Sequence, residues 1–128
     1  MSKQWKVAFH DEFLPEFRGF SEQVKRELAA RLERLRDQGS SLGRPYVGTL
    51  KGSKHANMKE LRFETDGGVW RVAFAFDPMR DAILLVGGSK SGVSKGRFYR
   101  ELINKADKRF AQHLIGLHEQ QQTKKETK

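Results

Sequence analysis

Two arginines on consecutive predicted strands are the residues of this chain best suited to bind a phosphate. Apolar and polar residues alternate in MKELRFE (58–64) and again in VWRVAFAF (69–76), and a turn-forming Asp-Gly-Gly separates the two stretches, which predicts a β-hairpin. Arg62 and Arg71 both fall on the face opposite the largest apolar side chains, where we expect them to be near neighbours. A guanidinium group stays charged and matches the oxygen atoms of a phosphate in pairs.

The predicted arginine pair has a functional and a structural interpretation. Two like charges side by side cost free energy unless an anion neutralises them, which favours an anionic ligand such as a nucleic acid backbone. The alternative is that Glu60 and Glu64, which neighbour Arg62 along the strand, neutralise the arginines instead. The pattern leaves both interpretations open.

Further basic and aromatic residues lie in the loops on either side of these strands. A Gly- and Ser-containing loop before the hairpin carries Lys51, Lys54 and His55. The junction between the last strand and the last helix carries Lys90, Lys95, Arg97 and Tyr99. We expect the solvent face of the sheet and these two loops to form one basic, concave patch.

Composition and charge narrow the classes of function. The 128 residues carry a net charge of +9, and residues 39–100 hold eleven Lys and Arg against five Asp and Glu, which indicates an anionic partner. The absence of cysteine excludes disulfides, thiol nucleophiles and Cys-based zinc sites. The four histidines have no metal-binding spacing, and GGSKSG (87–92) breaks the order of a nucleotide P-loop, so we expect neither metal nor cofactor.

The elements that must position these residues follow from periodicity and turn signals. Apolar residues at three- and four-residue spacing predict a helix over Glu22–Gln38 with Ser21 as its N-cap. The other predicted elements are a strand at Trp5–Phe9, a helix around Asp11–Phe17, a loop at Ser40–Leu50, the hairpin, a strand at Ala82–Val86, a flexible linker at Gly87–Ser94 and a helix from about Ser94 to about His118. These elements predict an α+β domain over residues 1–118, with a helix pair on a small twisted antiparallel sheet and a closing C-terminal helix. The polar residues 119–128 predict a disordered tail.

The order of these motifs resembles the RelE/ParE toxin superfamily, and within it the HigB-like, phage-derived branch. The resemblance covers roughly residues 40–112 and is carried by ELR (60–62), WRVAFAFD (70–77) and SKSGVSKGRFYRELINKADKRF (89–110). It implies a RelE-like fold and the toxin of a type II toxin–antitoxin module that cleaves mRNA on the ribosome. It also implies a cognate antitoxin, expected to be a helix-turn-helix protein encoded by an adjacent gene.

The resemblance assigns roles to residues of this chain. It carries over Arg62, Arg71 and Lys90, and also Lys51, Lys54, Arg97 and Tyr99. We predict catalytic roles for Arg62, Arg71, Lys90 and Lys54, and RNA binding by Lys51, His55, Lys95, Arg97 and Tyr99. RNA cleavage without metal needs a base for the 2′-hydroxyl, a group that stabilises the charged phosphorane and an acid for the 5′-oxygen. The arginines suit the phosphorane, Lys54 or Lys90 suits the base, and His55 or Tyr99 suits the acid.

Two other functions stay open at this stage. The same scaffold supports a non-enzymatic, ParE-like inhibitor of DNA gyrase, and a basic mobile-element protein would bind nucleic acid without cleaving it. Neither an apolar stretch of membrane-spanning length nor a signal-peptide pattern is present, so we expect a cytoplasmic protein.

Overall fold

Three helices and a five-stranded sheet make up the part of the chain that the computed structural model describes, residues 4–65, 67–90 and 92–126. In chain order the elements are β1 (Val7–Phe9), α1 (Phe13–Arg18), α2 (Glu22–Gln38), a short 3-10 helix (Gly39–Ser41), β2 (Val47–Thr49), β3 (Lys59–Thr65), β4 (Gly68–Phe76), β5 (Ala82–Ser89) and α3 (Lys95–Glu126). The predicted α+β class is confirmed. No helix in these ranges is long and apolar enough to span a bilayer.

Helix α2 forms where the sequence predicts it. The Ser21 side chain accepts a hydrogen bond from the backbone N–H of Val24 at 3.2 Å and so caps the helix. The helix ends at Gly39, whose φ of 55° is strained for other residues and whose missing side chain leaves room for the Trp5 ring. The apolar stripe of α2 is buried as predicted and consists of Val24, Leu28, Leu32 and Leu35.

The sheet has the order β1-β5-β4-β3-β2. Strands β2 to β5 form an antiparallel meander, whereas β1 pairs parallel with β5 at the other edge. A register shift beside Ala73 and Phe74 leaves Leu85 as an extra residue of β5, and this bulge turns both Leu85 and Val86 towards the same face.

Helices cover both faces of the sheet. On one face α1 and α2 pack against Leu61, Phe63, Val72 and Phe74, the apolar side chains of the hairpin on the face opposite the two arginines. On the other face α3 packs against a second apolar cluster, which comprises Leu50, Met58, Ala73, Ala75, Ile83, Leu85, Val86, Phe98, Leu102, Ala106 and Phe110. The prediction of a solvent-exposed sheet face carrying one basic patch is therefore wrong, because α3 covers much of that face.

An ion-pair cluster attaches the middle of α3 to α1. The Arg109 guanidinium donates to Glu16 at 2.9 Å and to the Leu85 carbonyl at 2.7 Å, and its Nε lies 3.4 Å from a Glu12 oxygen. Arg109 is buried, so these acceptors replace the water that its charge loses. The hydrogen bonds from Arg109 lower the pKa of Glu16.

One turn further along α3, His113 is fixed by a buried carboxylate. Its Nε2 lies 2.8 Å from Asp77 Oδ2, and the other Asp77 oxygen accepts the backbone N–H groups of Met79 and Asp81, both at 2.9 Å. The turn between β4 and β5 and the C-terminal half of α3 are thus held by the same carboxylate.

Three boundaries differ from the sequence predictions. The segment 40–50 contains the short strand β2, which a Gly- and Pro-rich sequence does not indicate. Strand β5 continues through Gly87 and Gly88 to Ser89, because neighbouring β4 supplies backbone partners for these glycines. Helix α3 continues through Glu126, where a disordered tail was predicted from 119, since residues 119–126 contain no glycine or proline that would end it. Residues 127 and 128 of the predicted tail lie outside the described residues.

Candidate active site

The two arginines of the hairpin are directly opposite one another. Arg62 on β3 and Arg71 on β4 are paired in the register of the two strands, which confirms the prediction that the two arginines are near neighbours. Their side chains leave the sheet on the face covered by α3, at the end where that helix begins. The Arg62 side chain is about half exposed, whereas Arg71 is buried.

Arg71 is held by aromatic rings rather than by a dedicated carboxylate. Its guanidinium carbon lies 5.5 Å from the ring centre of Phe98 and 5.3 Å from that of Tyr99, both near the start of α3. Its Nη1 donates to the Val69 carbonyl at 3.4 Å, but its Nε is buried with no hydrogen-bond partner. A buried donor without a partner is costly and marks a place where a ligand oxygen would be favourable.

Glu60 lies beside this pair and is buried. The Tyr99 hydroxyl donates to Glu60 Oε1 at 3.1 Å, and Arg62 Nε lies 3.6 Å from the same oxygen. The other oxygen, Oε2, is buried without a hydrogen-bond partner. The structural interpretation, in which Glu60 and Glu64 neutralise the arginines, therefore holds in part, because Glu60 contacts Arg62.

The environment of Glu60 and Tyr99 shifts both groups towards their protonated forms. Burial raises the pKa of Glu60 despite the opposing hydrogen bond from Tyr99 and the nearby charges of Arg62, Arg71 and Lys95. Burial and the neighbouring Glu60 raise the pKa of Tyr99. A carboxyl group with a raised pKa can exchange protons nearer neutral pH, and a tyrosine with a raised pKa keeps its proton to donate.

A cleft of about 220 Å³ opens next to Glu60 and Arg62. It lies between the edge strand β2 and the segment before it, and its lining residues are Arg44, Pro45, Val47, Gly48, Thr49, Glu60 and Arg62. Gly48 is the cross-strand partner of Glu60, so no side chain of β2 stands between Glu60 and the cleft at that position. Glu60 and Arg62 therefore line the cleft, and two further groups adjoin them: Arg71 is the cross-strand partner of Arg62, and the Tyr99 phenol donates to Glu60.

The loop residues predicted for the site lie elsewhere. The backbone of Lys54 and the ring of His55 contact Asp107 and Phe110 in the middle of α3. Asp107 is eight residues beyond Tyr99, or about 12 Å along the helix axis at the usual rise. Lys51 is exposed and lines a groove that adjoins the cleft, because Arg44, Val47, Gly48 and Thr49 line both. The structure does not bring these three residues together with the arginine pair.

The predicted site residues around the start of α3 differ in whether they lie near Glu60. Lys95 is the first residue of α3 and is close enough to Glu60 to affect its pKa, and Tyr99 one turn later contacts Glu60 directly. Lys90 follows the end of β5, two residues after the partner of Arg71. Arg97 points to solvent and pairs with Glu101 at 3.1 Å.

The sequence interpretation missed Glu60 as a functional candidate and treated it as a partner for the arginines. Its position inside the ELR stretch, on the same strand face as Arg62, was the available signal. The sequence pattern could not predict the contact of Tyr99 with Glu60, because that contact joins residues 39 positions apart. Within the described ranges, no group of three or more His, Asp or Glu side chains is arranged to hold a metal ion.

Comparison with known proteins identifies the family. The family described as "Phage derived protein Gp49-like (DUF891)" matches residues 15–111. The chain is 43% identical over 97 residues to the provisionally named toxin HigB2 of Mycobacterium tuberculosis, and this aligned region covers 75% of this chain and 48% of HigB2. It is 45% identical over 87 residues to the provisionally named toxin HigB3 of the same organism, which covers 68% of this chain and 74% of HigB3.

The fold also matches a solved structure. A mutant of the E. coli toxin RelE in the free state superposes with a TM-score of 0.57 and 15% identity, over 83% of this chain and 97% of RelE. The chain belongs to the Gp49-like family of phage-derived proteins, and the predicted HigB-like, RelE-fold assignment is confirmed. It spans about half the length of HigB2 and about three quarters of HigB3.

Proposed function

We propose that this protein is the toxin of a type II toxin–antitoxin module and a metal-independent endoribonuclease that cleaves mRNA on the ribosome. The observation that carries the proposal is the group formed by Glu60 and Arg62, which line the cleft, and by Arg71 and Tyr99 next to them, with Glu60 Oε2 and Arg71 Nε both buried and unpartnered. The relatives named as toxins support the same conclusion.

The chemistry follows from what each group can do. The Glu60 carboxylate takes the proton of the 2′-hydroxyl, and the resulting oxyanion attacks the adjacent phosphorus. Arg62 and Arg71 hold the non-bridging oxygens and stabilise the additional negative charge of the phosphorane. Tyr99 gives its proton to the departing 5′-oxygen, which leaves a cyclic phosphate and a free 5′-hydroxyl.

The remaining predicted residues have supporting places in this proposal. Lys95 adds positive charge beside Glu60, and Lys90 and Arg97 lie around the junction of β5 with α3. Lys51, Lys54 and His55 contact the RNA outside the cleft. The cleft is small and open, so correct placement of a flexible mRNA depends on a second binding surface, which is the role we give to the ribosome.

A cleavage assay on programmed ribosomes tests this function. Wild-type protein should cut the mRNA only when ribosomes are present, and Arg71→Ala should lose the activity while remaining folded. Arg18→Ala removes an exposed arginine on the opposite face of the sheet and should cleave like the wild type. Intact mRNA with folded wild-type protein would refute the proposal, and inhibition of DNA gyrase in its place would establish the ParE-like alternative.

We also propose a cognate antitoxin as partner, of the helix-turn-helix type and encoded by an adjacent gene. A protein that cleaves cellular mRNA needs neutralisation in its host, and the net charge of +9 favours an acidic segment on the basic surface. Because mRNA and ribosomes are the targets, the proposed location is the cytoplasm. Co-expression with the product of the neighbouring gene should yield a stable complex and restore growth.

A further inference from the structure

The loop between β2 and β3 carries positive charge but contributes little to the core. Lys51, Lys54, Ala56 and Asn57 are exposed, and Gly52 adopts a φ of 94° that turns the chain sharply. An exposed loop of this kind moves readily unless contacts from elsewhere in the fold restrain it.

A single carboxylate of α3 provides that restraint. One oxygen of Asp107 accepts the Ser53 hydroxyl at 2.5 Å, and the other accepts the backbone N–H of Lys54 at 2.9 Å. Ser53 Oγ in turn accepts the backbone N–H of His55 at 2.9 Å. The His55 ring packs edge-on against Phe110, with 4.9 Å between ring centres. Three consecutive loop residues are therefore fixed to one turn of α3.

A buried carboxylate is a costly means of attaching a loop. Asp107 is only 8% exposed, and removing an ionised carboxylate from water is unfavourable unless hydrogen bonds replace the lost hydration. An apolar side chain would anchor the loop by packing without that cost, but it would not define the backbone position of Lys54. The two-oxygen contact defines this position, because each oxygen receives a donor from a different loop residue.

The fixed position of Lys54 is related to the cleft through Tyr99, which donates to Glu60 in the cleft lining. Its backbone is attached to α3 about 12 Å along the helix axis from Tyr99, at the usual rise per residue. We propose that Asp107 is a positioning residue that holds Lys54 and His55 on the path of the RNA strand leaving the cleft along α3. This inference rests on the proposed ribonuclease function and adds a residue that is neither among the predicted site residues nor in the lining of the cleft.

The test separates RNA binding from chemistry. In Asp107→Asn one acceptor oxygen becomes a donor, so one of the two loop contacts is lost. We expect KM for ribosome-bound mRNA to rise about tenfold, the effect of one hydrogen bond to a charged group, with kcat unchanged. Hydrogen exchange at the amides of residues 53–57 should accelerate. Asp37→Asn, a matched change at an exposed position of α2, should alter neither quantity.

A double-mutant comparison distinguishes positioning from a merely structural role. In a protein that already carries Lys54→Ala and His55→Ala, Asp107→Asn should produce no further rise in KM, because the residues it positions are gone. A structural defect would instead lower activity in both backgrounds alike. If Asp107→Asn fails to fold, Ser53→Ala is the second variant, because it removes the hydroxyl that donates to Asp107 and accepts the His55 N–H. Ser53→Thr keeps the hydroxyl and should retain the wild-type KM.

The failures of the two proposals are distinguishable. If wild-type protein cleaves ribosome-bound mRNA and Asp107→Asn has the wild-type KM, the positioning role is refuted and the ribonuclease function stands. If a further rise in KM persists in the Lys54→Ala, His55→Ala background, the role is refuted as well. If folded wild-type protein cleaves no mRNA, the ribonuclease function fails, and the positioning proposal fails with it.

Discussion

The contact between α3 and the sheet buries two arginines, Arg109 and Arg71, which differ in the hydrogen-bond acceptors available to them. The buried guanidinium of Arg109 has Glu16, Glu12 and a backbone carbonyl as acceptors, and we call this cluster saturated because its charge is matched by these partners. Near Arg71 the buried guanidinium faces another arginine across the strands, and its Nε has no acceptor. One helix thus joins a saturated ion cluster to an unsaturated one.

The difference separates stability from function within one element. A saturated cluster gains nothing from a ligand, and its role is to hold α3 against α1 and β5. An unsaturated cluster lowers the stability of the free protein and becomes favourable only when an anion arrives, which is the arrangement that a phosphate-binding site requires. The same substitution should therefore have opposite consequences at the two ends.

The largest expected effect is on catalysis at the unsaturated end. Arg71→Lys keeps the charge but loses the planar fork that would hold two phosphate oxygens, so kcat should fall roughly a hundredfold. The free energy of unfolding should change by less than about 0.5 kcal/mol, because no buried partner loses its ion pair. Single-turnover cleavage and urea denaturation measure the two quantities. Full activity in Arg71→Lys would remove the distinction between the two ends.

The second effect concerns the protonation of Glu60. Glu60→Gln removes the proposed base, and kcat should fall about a hundredfold, with loss of the acid limb of the pH–rate profile. Glu64→Gln changes an exposed glutamate of the same strand and should keep that limb. An unchanged pH profile in Glu60→Gln would assign the base to another residue.

The stability of the same Glu60 variant should depend on pH with a definite sign. Burial raises the folded-state pKa of Glu60 above its ordinary value of 4.5, so the folded protein binds this proton more tightly than the unfolded chain does. Its contribution to stability is complete below pH 4.5 and is lost as pH rises through the folded pKa. Glu60→Gln should therefore be more stable relative to the wild type at pH 8 than at pH 4, measured by thermal unfolding.

The third effect lies at the saturated end and should leave catalysis unchanged. Arg109→Lys cannot donate to Glu16 and to the Leu85 carbonyl with the same geometry, so the free energy of unfolding should fall by about 2 kcal/mol. The kcat on ribosome-bound mRNA should stay within about twofold of the wild-type value at a temperature where the variant is folded. A large loss of kcat without a loss of stability in Arg109→Lys would contradict the conclusion that Arg109 serves stability and Arg71 serves catalysis.

Local patterns predicted most of the elements and the arginine pair. The Ser21 cap, the stripe of α2 and the alternation in β3 and β4 depend on residues near one another in sequence, and the pattern found them. The alternation also determined that Arg62 and Arg71 share a face, since side chains of a strand alternate by two.

The site contacts that local patterns could not predict involve α3. The contact of Tyr99 with Glu60 and that of Asp107 with Ser53 join segments 39 and 54 residues apart, and no periodicity encodes them. The sequence predicted α3 as a helix but not the sheet face that it covers. Lys54 and His55 were therefore expected in the site, whereas the docking of their loop on α3 holds them away from it.

The parallel pairing of β1 with β5 has a consequence for the order in which the protein folds. Val7–Phe9 leaves the ribosome early, but its partners Ala82–Leu84 are made some 75 residues later, so the sheet cannot close while the meander is incomplete. The cleft is completed later still, because Tyr99 belongs to the element after β5. A chain still under synthesis has both arginines but not the phenol, and the ribosome that makes this protein is therefore exposed to a finished site only after almost the whole domain has been translated.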